Sequence, residues 1–131
     1  MLTVSTYTKG YRVAGLLAAI DSSGPGVVKL YDGSAPSNCG SLTTQILYAS
    51  IPLKTPSGYV AGTTLSLYAP DAVQNLATGT VTWARILNGG GSVVFDCDVG
   101  DNVSSAVIKL ASTSFTINLY TYLQAITISE A

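Results

Sequence analysis

Two strand-like segments around a glycine loop, in the second half of the chain, constrain the fold more than any other feature. Residues 80–87 (TVTWARIL) and 92–99 (SVVFDCDV) are rich in β-branched and aromatic residues, and Asn88 and three glycines lie between them. Four turn-forming residues between two such runs are typical of a β-hairpin. The chain is therefore expected to contain an antiparallel strand pair, with which the rest of the fold must be compatible.

The two faces of this hairpin are predicted to differ in chemistry. If Leu87 pairs with Ser92, Trp83 lies opposite Asp96 and Arg85 lies diagonal to Asp96, whereas a one-residue slip would exchange the faces. The face predicted to join the core carries Thr82, Ala84, Ile86, Val93, Phe95 and Cys97. The opposite face carries Val81, Trp83, Arg85, Val94, Asp96 and Asp98.

Most of the remaining chain also has the pattern of short strands and turns. Pro52 restricts the end of its strand to a sheet edge or a bulge. Because no helix-length segment separates the strands, a parallel sheet is disfavoured. The sequence predicts a mainly β fold, an antiparallel β-sandwich or jelly roll, in a single domain over residues 1–131. The further predicted strands are residues 27–31, 45–53, 65–68, 107–110, 114–119 and 120–128.

One segment with helical periodicity precedes the strands. Residues 9–20 carry apolar side chains at spacings of three and four, which places them on one helical face, and the Gly24-Pro25-Gly26 sequence ends the helix. We expect an N-terminal arm and short helix within residues 1–24, and a C-terminal strand or arm within residues 120–131. The apolar face, which has to pack against a sheet, consists of Val13, Leu16, Leu17 and Ile20.

The chain has few charges, and they are dispersed. Only 10% of the residues are charged, 47% are hydrophobic, and the net charge is −1. Binding of nucleic acid requires clustered basic residues that neutralise phosphates, so no nucleic-acid partner is expected. The apolar stretch 13–20 is too short to cross a bilayer, and no membrane partner is expected. The scattered cations are Lys9, Arg12, Lys29, Lys54, Arg85 and Lys109.

The residue types needed for catalysis or metal binding are scarce. The sequence has no histidine and two cysteines, which removes the commonest general base and the usual ligand set of a structural zinc site. Asp96, Asp98 and Asp101 are candidate calcium ligands, but pairing of Asp96 with Arg85 is the favoured interpretation. Cys39 and Cys97 are expected to be free thiols. We therefore predict no enzymatic activity, no cofactor and no metal.

The aromatic residues favour a role in protein binding. Eight tyrosines accompany two phenylalanines, and tyrosine, tryptophan and arginine are enriched at protein interfaces. Hydroxyl groups in place of charges also leave a surface that is easily desolvated, although they equally reflect β propensity. A second sheet or the helix could instead cover the Trp83 face within the same chain. The predicted partner contacts are Tyr7, Trp83, Arg85, Tyr120 and Tyr122.

Four segments together resemble a group of small proteins that tailed bacteriophages encode among their virion components. They are LYDGSAP at 30–36, QILYASIPL at 45–53, ATGTVTWARILNGGGSVVFDCDVG at 77–100 and SFTI at 114–117. The resemblance covers about residues 10–117, and the TGTVTWARI and VVFDCDVG sequences are its most specific part. The chain departs from the pattern at Cys97, where a small residue such as glycine is expected, and in the added segment 120–128.

The resemblance implies a capsid decoration or cement protein. Such a protein bridges subunits of the major capsid protein, contacts copies of itself, and lies on the capsid surface after synthesis in the host cytoplasm. A head-to-tail joining, neck or tail protein is the alternative within the particle. A carbohydrate- or cell-surface-binding module is the alternative from another class, because β-sandwiches also present aromatic residues on loops.

Overall fold

The chain forms short β-strands that follow an N-terminal α-helix. The structure is a computed structural model that describes residues 2–121, 123 and 126–129. The fold is mainly β, as the sequence predicts. Helix α1 spans Thr6–Asp21, and a short 3-10 helix spans Ser37–Cys39. The strands are β1 Val27–Tyr31, β2 Leu47–Pro52, β3 Gly58–Ala61, β4 Thr64–Leu67, β5 Val73–Gln74, β6 Gly79–Thr80, β7 Trp83–Leu87, β8 Val93–Asp101, β9 Ile108–Leu110, β10 Ser114–Phe115, β11 Tyr120–Thr121 and β12 Ile126–Ser129.

Helix α1 begins three residues earlier than the periodicity predicts. The Ser5 side chain accepts a hydrogen bond from the Thr8 backbone N–H at 3.2 Å and thereby caps the helix. The first turn carries no apolar stripe, so this cap alone marks it in the sequence. The apolar face of α1 packs against β3 and β4, with further contacts to β8. It does not cover the Trp83 face of the hairpin.

A five-stranded sheet contains the predicted hairpin. Its strand order is β2-β1-β7-β8-β9, so that β2, which ends at Pro52, is an edge strand. All neighbours are antiparallel except β8 and β9, which run parallel. The sheet is thus mainly antiparallel, as the sequence predicts, and the pair of β8 and β9 is an exception. Parallel strands usually need a long crossover, but here the overlap is only Val99–Asp101 with Ile108–Leu110, which a short connection can reach.

The hairpin keeps the predicted faces in its central part, but its register differs. Arg85 lies directly opposite Asp96, and Ala84 lies opposite Cys97. A β-bulge between Ile86 and Leu87 shifts the pairing. The register therefore differs by two residues from the predicted one along most of the hairpin. A two-residue shift preserves the alternation of side chains, so residues 83–86 and 95–98 lie on their predicted faces. Outside this central part the predicted faces are wrong: Val81 and Val94 pack in or against the core, and Thr82 bonds to Gly33 on the Trp83 face.

The loop of the hairpin is packed against the end of α1. The Asn88 side-chain oxygen accepts hydrogen bonds from the Gly90 and Ser92 backbone N–H groups, at 3.0 and 2.9 Å. A Cβ atom at Gly89 would lie 2.3 Å from the Ser23 carbonyl oxygen, so no side chain fits there. The loop is thus a fixed part of the fold.

Side chains of two sheets meet in one core, in a sandwich-like arrangement. The second sheet has the order β12-β4-β3 and is antiparallel throughout. Strand β3 was not predicted. A bend at Gly62, whose φ is +62°, separates it from β4, which was predicted. Two-residue ladders join β10 to β6 and β11 to β5. The largest buried side chains of the core are Ile20, Leu30, Ile51, Leu65, Leu67, Ile86, Ile108, Leu110 and Ile126.

Candidate functional site

Trp83, one of the predicted partner contacts, is buried within its own chain. Its side chain is 4% exposed. The indole ring stacks on Tyr31, with ring centroids 4.8 Å apart and an interplanar angle of 19°. The indole N–H donates a hydrogen bond to the Asp32 carbonyl oxygen at 2.8 Å. The ring therefore has a complete set of intramolecular partners and is not on the surface.

Arg85, a second predicted contact, is also buried. Its Nε and Nη2 atoms donate to the two carboxylate oxygens of Asp96 at 2.8 and 2.9 Å. Nη2 also donates to the Gly40 carbonyl oxygen at 2.8 Å, and the guanidinium carbon lies 5.4 Å from the Trp83 ring centroid. Hydrogen bonding to Asp96 raises the pKa of Arg85, so the guanidinium is charged at every accessible pH.

Residues 33–45, between β1 and β2, lie over Trp83 and Arg85. We call this segment the strap. Its residues Gly33, Ser34 and Ala35 form one wall of an open cleft whose other wall includes Trp83 and Asp96. The sequence leaves open that a second sheet or the helix covers this face. The cover does come from the same chain, but it is a loop without strand or α-helical periodicity.

The aspartates considered as calcium ligands serve separate structural roles. Asp96 is paired with Arg85, as favoured in the sequence analysis. An Asp98 carboxylate oxygen accepts a hydrogen bond from the Val107 N–H at 2.8 Å, and an Asp101 carboxylate oxygen accepts one from the Val103 N–H at 3.2 Å. No group of three possible metal ligands exists among the described residues. The Asp98 bond instead holds the connection before β9.

Both cysteines are free thiols, as predicted. Cys39 is exposed on the strap, whereas Cys97 is half-buried beside the core. Burial, together with the carboxylates of Asp98 and Asp96, raises the pKa of Cys97 to about 12. The Cys97 thiol is therefore protonated at neutral pH and is a poor nucleophile.

Tyr7 lies beside an apolar groove where α1 meets β3. Its side chain is 75% exposed, and that of Tyr11, one turn later, is 62% exposed. The two rings meet edge to face with centroids 5.0 Å apart, and the hydroxyl oxygens are hydrogen bonded at 3.1 Å. The groove, of about 380 Å³, continues along Ala14 and Val60. We call the surface formed by Tyr7, Tyr11, Ala14 and Val60 the helix groove.

Tyr120 belongs to a second exposed apolar surface, which we call the C-terminal patch. It comprises Leu76, Ile117, Leu119 and Tyr120, with exposed fractions of 49–63%. The Asn75 N–H donates to the Leu119 carbonyl oxygen at 2.7 Å, and the β11–β5 ladder pairs Tyr120 with Gln74. These bonds bring the two chain segments of the patch together. Tyr122, the last predicted contact, lies outside the described residues.

Several exposed apolar residues were not identified from the sequence. Tyr11 follows Tyr7 by four residues, a spacing that places both rings on one face of a helix and could have been recognised. The C-terminal patch had no comparable signal, because the ladder between β5 and β11 joins residues 46 positions apart. The sequence therefore predicted Tyr7 and Tyr120 but not the neighbours that make each of them part of a surface.

Comparisons with known proteins gave no match. No family model, no curated protein and no solved structure is similar to this chain. The resemblance to virion proteins of tailed bacteriophages therefore stays a prediction. Within the residues that the structure describes, no helix combines the length and apolar character needed to cross a membrane.

Proposed function

We propose that the chain is a virion structural protein that decorates the capsid and bridges subunits of the major capsid protein. The observation that carries the proposal is the exposure of aromatic and aliphatic side chains on two surfaces, the helix groove and the C-terminal patch. Contiguous apolar surface that is open to solvent is typical of a site that binds another protein. The resemblance described above supports a capsid as the place where this binding occurs.

Two separate surfaces suit a protein that joins neighbouring subunits. A bridging protein has to contact at least two chains, and occupancy of one surface raises the effective concentration for the other. The proposed partners are the major capsid protein and other copies of this chain. The net charge of −1 provides little electrostatic repulsion between closely packed copies. In this mechanism the chain stabilises the capsid by binding only its assembled state.

The proposal is tested by measuring the composition of purified virions. Quantitative mass spectrometry should detect the chain in a fixed, high ratio to the major capsid protein. A single small ring of copies per particle would instead support the neck or tail alternative. Absence of the chain from the particles would contradict the proposal.

Variants of the helix groove test the binding surface. Replacing Tyr7 and Tyr11 by serine removes two exposed rings, so binding of the purified chain to undecorated capsids should weaken. The matched control replaces Tyr59 and Tyr68 by serine. These two exposed rings also form a pair, with centroids 5.7 Å apart, and Tyr59 lies on the opposite side of β3 from Val60 of the groove. Equal loss of binding in both variants would contradict a specific role of the groove.

A further inference from the structure

The strap, residues 33–45, has no buried side chain of its own. Pro36, Gly40 and Gln45 are half-buried, and the other residues of the strap are exposed. Even Leu42, its largest aliphatic residue, is 41% exposed. A segment that buries so little of its own apolar surface gains little free energy from its own side chains by staying in place. The stability of its closed position therefore depends on its contacts with the sheet.

The contacts between strap and sheet are polar and loosely packed. The Thr82 hydroxyl donates to the Gly33 carbonyl oxygen at 2.6 Å, and Arg85 donates to the Gly40 carbonyl oxygen at 2.8 Å. A cleft of about 350 Å³ lies between the start of the strap and the side chains of Trp83 and Asp96. Such a cleft forgoes the dispersion contacts of a close-packed interface. Opening the strap breaks two hydrogen bonds and exposes the side chains that it covers, which costs less free energy than unfolding the sheet.

The charges beneath the strap, on Arg85 and Asp96, are paired with each other and not with the strap. Arg85 forms both of its ionic hydrogen bonds with Asp96, which is on the neighbouring strand of the same sheet. Removal of the strap would leave no unpaired buried charge and would return the ion pair to water, which lowers its desolvation cost. Asn38 and Cys39 have positive φ angles, both of 54°, which is an uncommon conformation for residues other than glycine. An open strap would relax this strain.

Both ends of the strap are fixed to the sheet. The Asp32 carboxylate accepts a hydrogen bond from the Ile46 N–H at 2.8 Å, and the Asp32 N–H donates to the Ile46 carbonyl oxygen at 3.4 Å. These bonds continue the ladder between β1 and β2. The strap is thus a loop whose ends are close together, and it can move without separating the strands that flank it.

We propose that the strap is a cover that opens by local unfolding while the five-stranded sheet stays folded. Opening exposes the stacked side chains of Tyr31, Trp83 and Arg85 to solvent. This surface consists of the residue types that dominate binding energies at protein interfaces. The proposal concerns the isolated chain and does not depend on the virion role.

Native-state hydrogen exchange of the full chain, followed by NMR, tests the cover. Trp83 is the only tryptophan, so its indole N–H gives a single signal. With the strap open, only the hydrogen bond to the Asp32 carbonyl oxygen still protects this proton. We expect this proton to exchange much faster than the backbone N–H groups of Val28 and Leu30 in β1, and at a rate that rises less steeply with low urea concentrations. A weak urea dependence is the mark of an opening that exposes much less surface than unfolding of the sheet.

Replacing Thr82 by valine keeps the shape of the side chain but removes its hydrogen bond to Gly33. Exchange of the Trp83 indole proton should become about fivefold faster, the equivalent of one net hydrogen bond. The control, Thr80→Val, removes a hydroxyl from an exposed threonine two residues away in β6, outside the strap contacts. The proposal is overturned if the indole proton has the same urea dependence as the Val28 and Leu30 N–H groups. It is equally overturned if the Trp83 indole proton exchanges at the same rate in Thr82→Val and in Thr80→Val.

Discussion

The strap-covered face and the C-terminal patch each carry a large aromatic side chain but differ in exposure. Trp83 and Tyr120 are both large aromatic residues on short strands, yet Trp83 is 4% exposed and Tyr120 is 63% exposed. The alternation of side chains along a strand places each ring on one side of its sheet. It does not determine whether another segment covers that side. The comparison teaches that exposure on the outer face of a sheet depends on the loops, so substitutions should affect stability at one site and binding at the other.

The largest effect is expected at Trp83. The change Trp83→Ala removes the stack on Tyr31 and the hydrogen bond to Asp32, and it should lower the free energy of unfolding by about 4 kcal/mol. Urea unfolding followed by far-ultraviolet circular dichroism measures this, because the variant has no tryptophan fluorescence. The sequence analysis assigned Trp83 to an interface, for which the isolated chain would remain stable. A loss below about 1 kcal/mol would support a surface position of Trp83 and contradict its burial.

The ion pair beneath the strap should give the next largest effect. Asp96→Asn leaves the charge of Arg85 without a carboxylate at a site where Arg85 is 6% exposed. We expect a loss of about 3 kcal/mol in the free energy of unfolding. The control is Asp71→Asn, the same change at a side chain that is 96% exposed. Similar urea midpoints for the two variants would mean that the strap does not exclude water from the ion pair.

Alkaline pH should weaken the covered sheet through Cys97. Its pKa is raised from 9.0 to about 12, so the folded state keeps the proton that the unfolded chain releases. The stabilisation is complete below the unfolded pKa and declines between these values, by about 1.4 kcal/mol for each pH unit. Unfolding free energies at about pH 9.5 and 10.5 should therefore fall more steeply in the natural chain than in Cys97→Ala. Parallel slopes would contradict the effect of burial on this thiol.

The smallest effect on stability is expected in the C-terminal patch. Tyr120→Ala should change the free energy of unfolding by less than about 0.5 kcal/mol, because the ring has little to lose in contacts within the chain. The same variant should bind undecorated capsids less well. Destabilisation comparable to that of Trp83→Ala would remove the distinction between the two regions.

The alternation of side chains allowed much of the sheet to be predicted. It identified the hairpin and both faces of its central part, because Ala84 and Ile86 alternate with Trp83 and Arg85. The register was not predictable, since the bulge between Ile86 and Leu87 has no separate signal in the sequence. The helix was recognised from its apolar spacing, but its first turn depends on the Ser5 cap and was missed.

The candidate sites were less predictable than the sheets. Tyr7 and Tyr120, which are predicted to contact a partner, are exposed, whereas Trp83 and Arg85 are buried. The reason is that the strap, which covers the latter pair, has neither helical nor strand periodicity. Its position depends on single hydrogen bonds, such as that from Arg85 to the Gly40 carbonyl oxygen, which join residues 45 positions apart. No local pattern encodes such a contact.

Because the loop of the hairpin is closely packed, it is a poor position for the insertion of a foreign sequence. Glycine-rich tips are a common choice for inserting an epitope or a fluorescent label, but here the absence of space at Gly89 means that an insertion would push the tip away from Ser23. The bend after β8 offers the better position, because Val103 is 93% exposed. A short peptide grafted at Val103 should be displayed without loss of the fold, which would allow the protein to be located in assembled particles by microscopy.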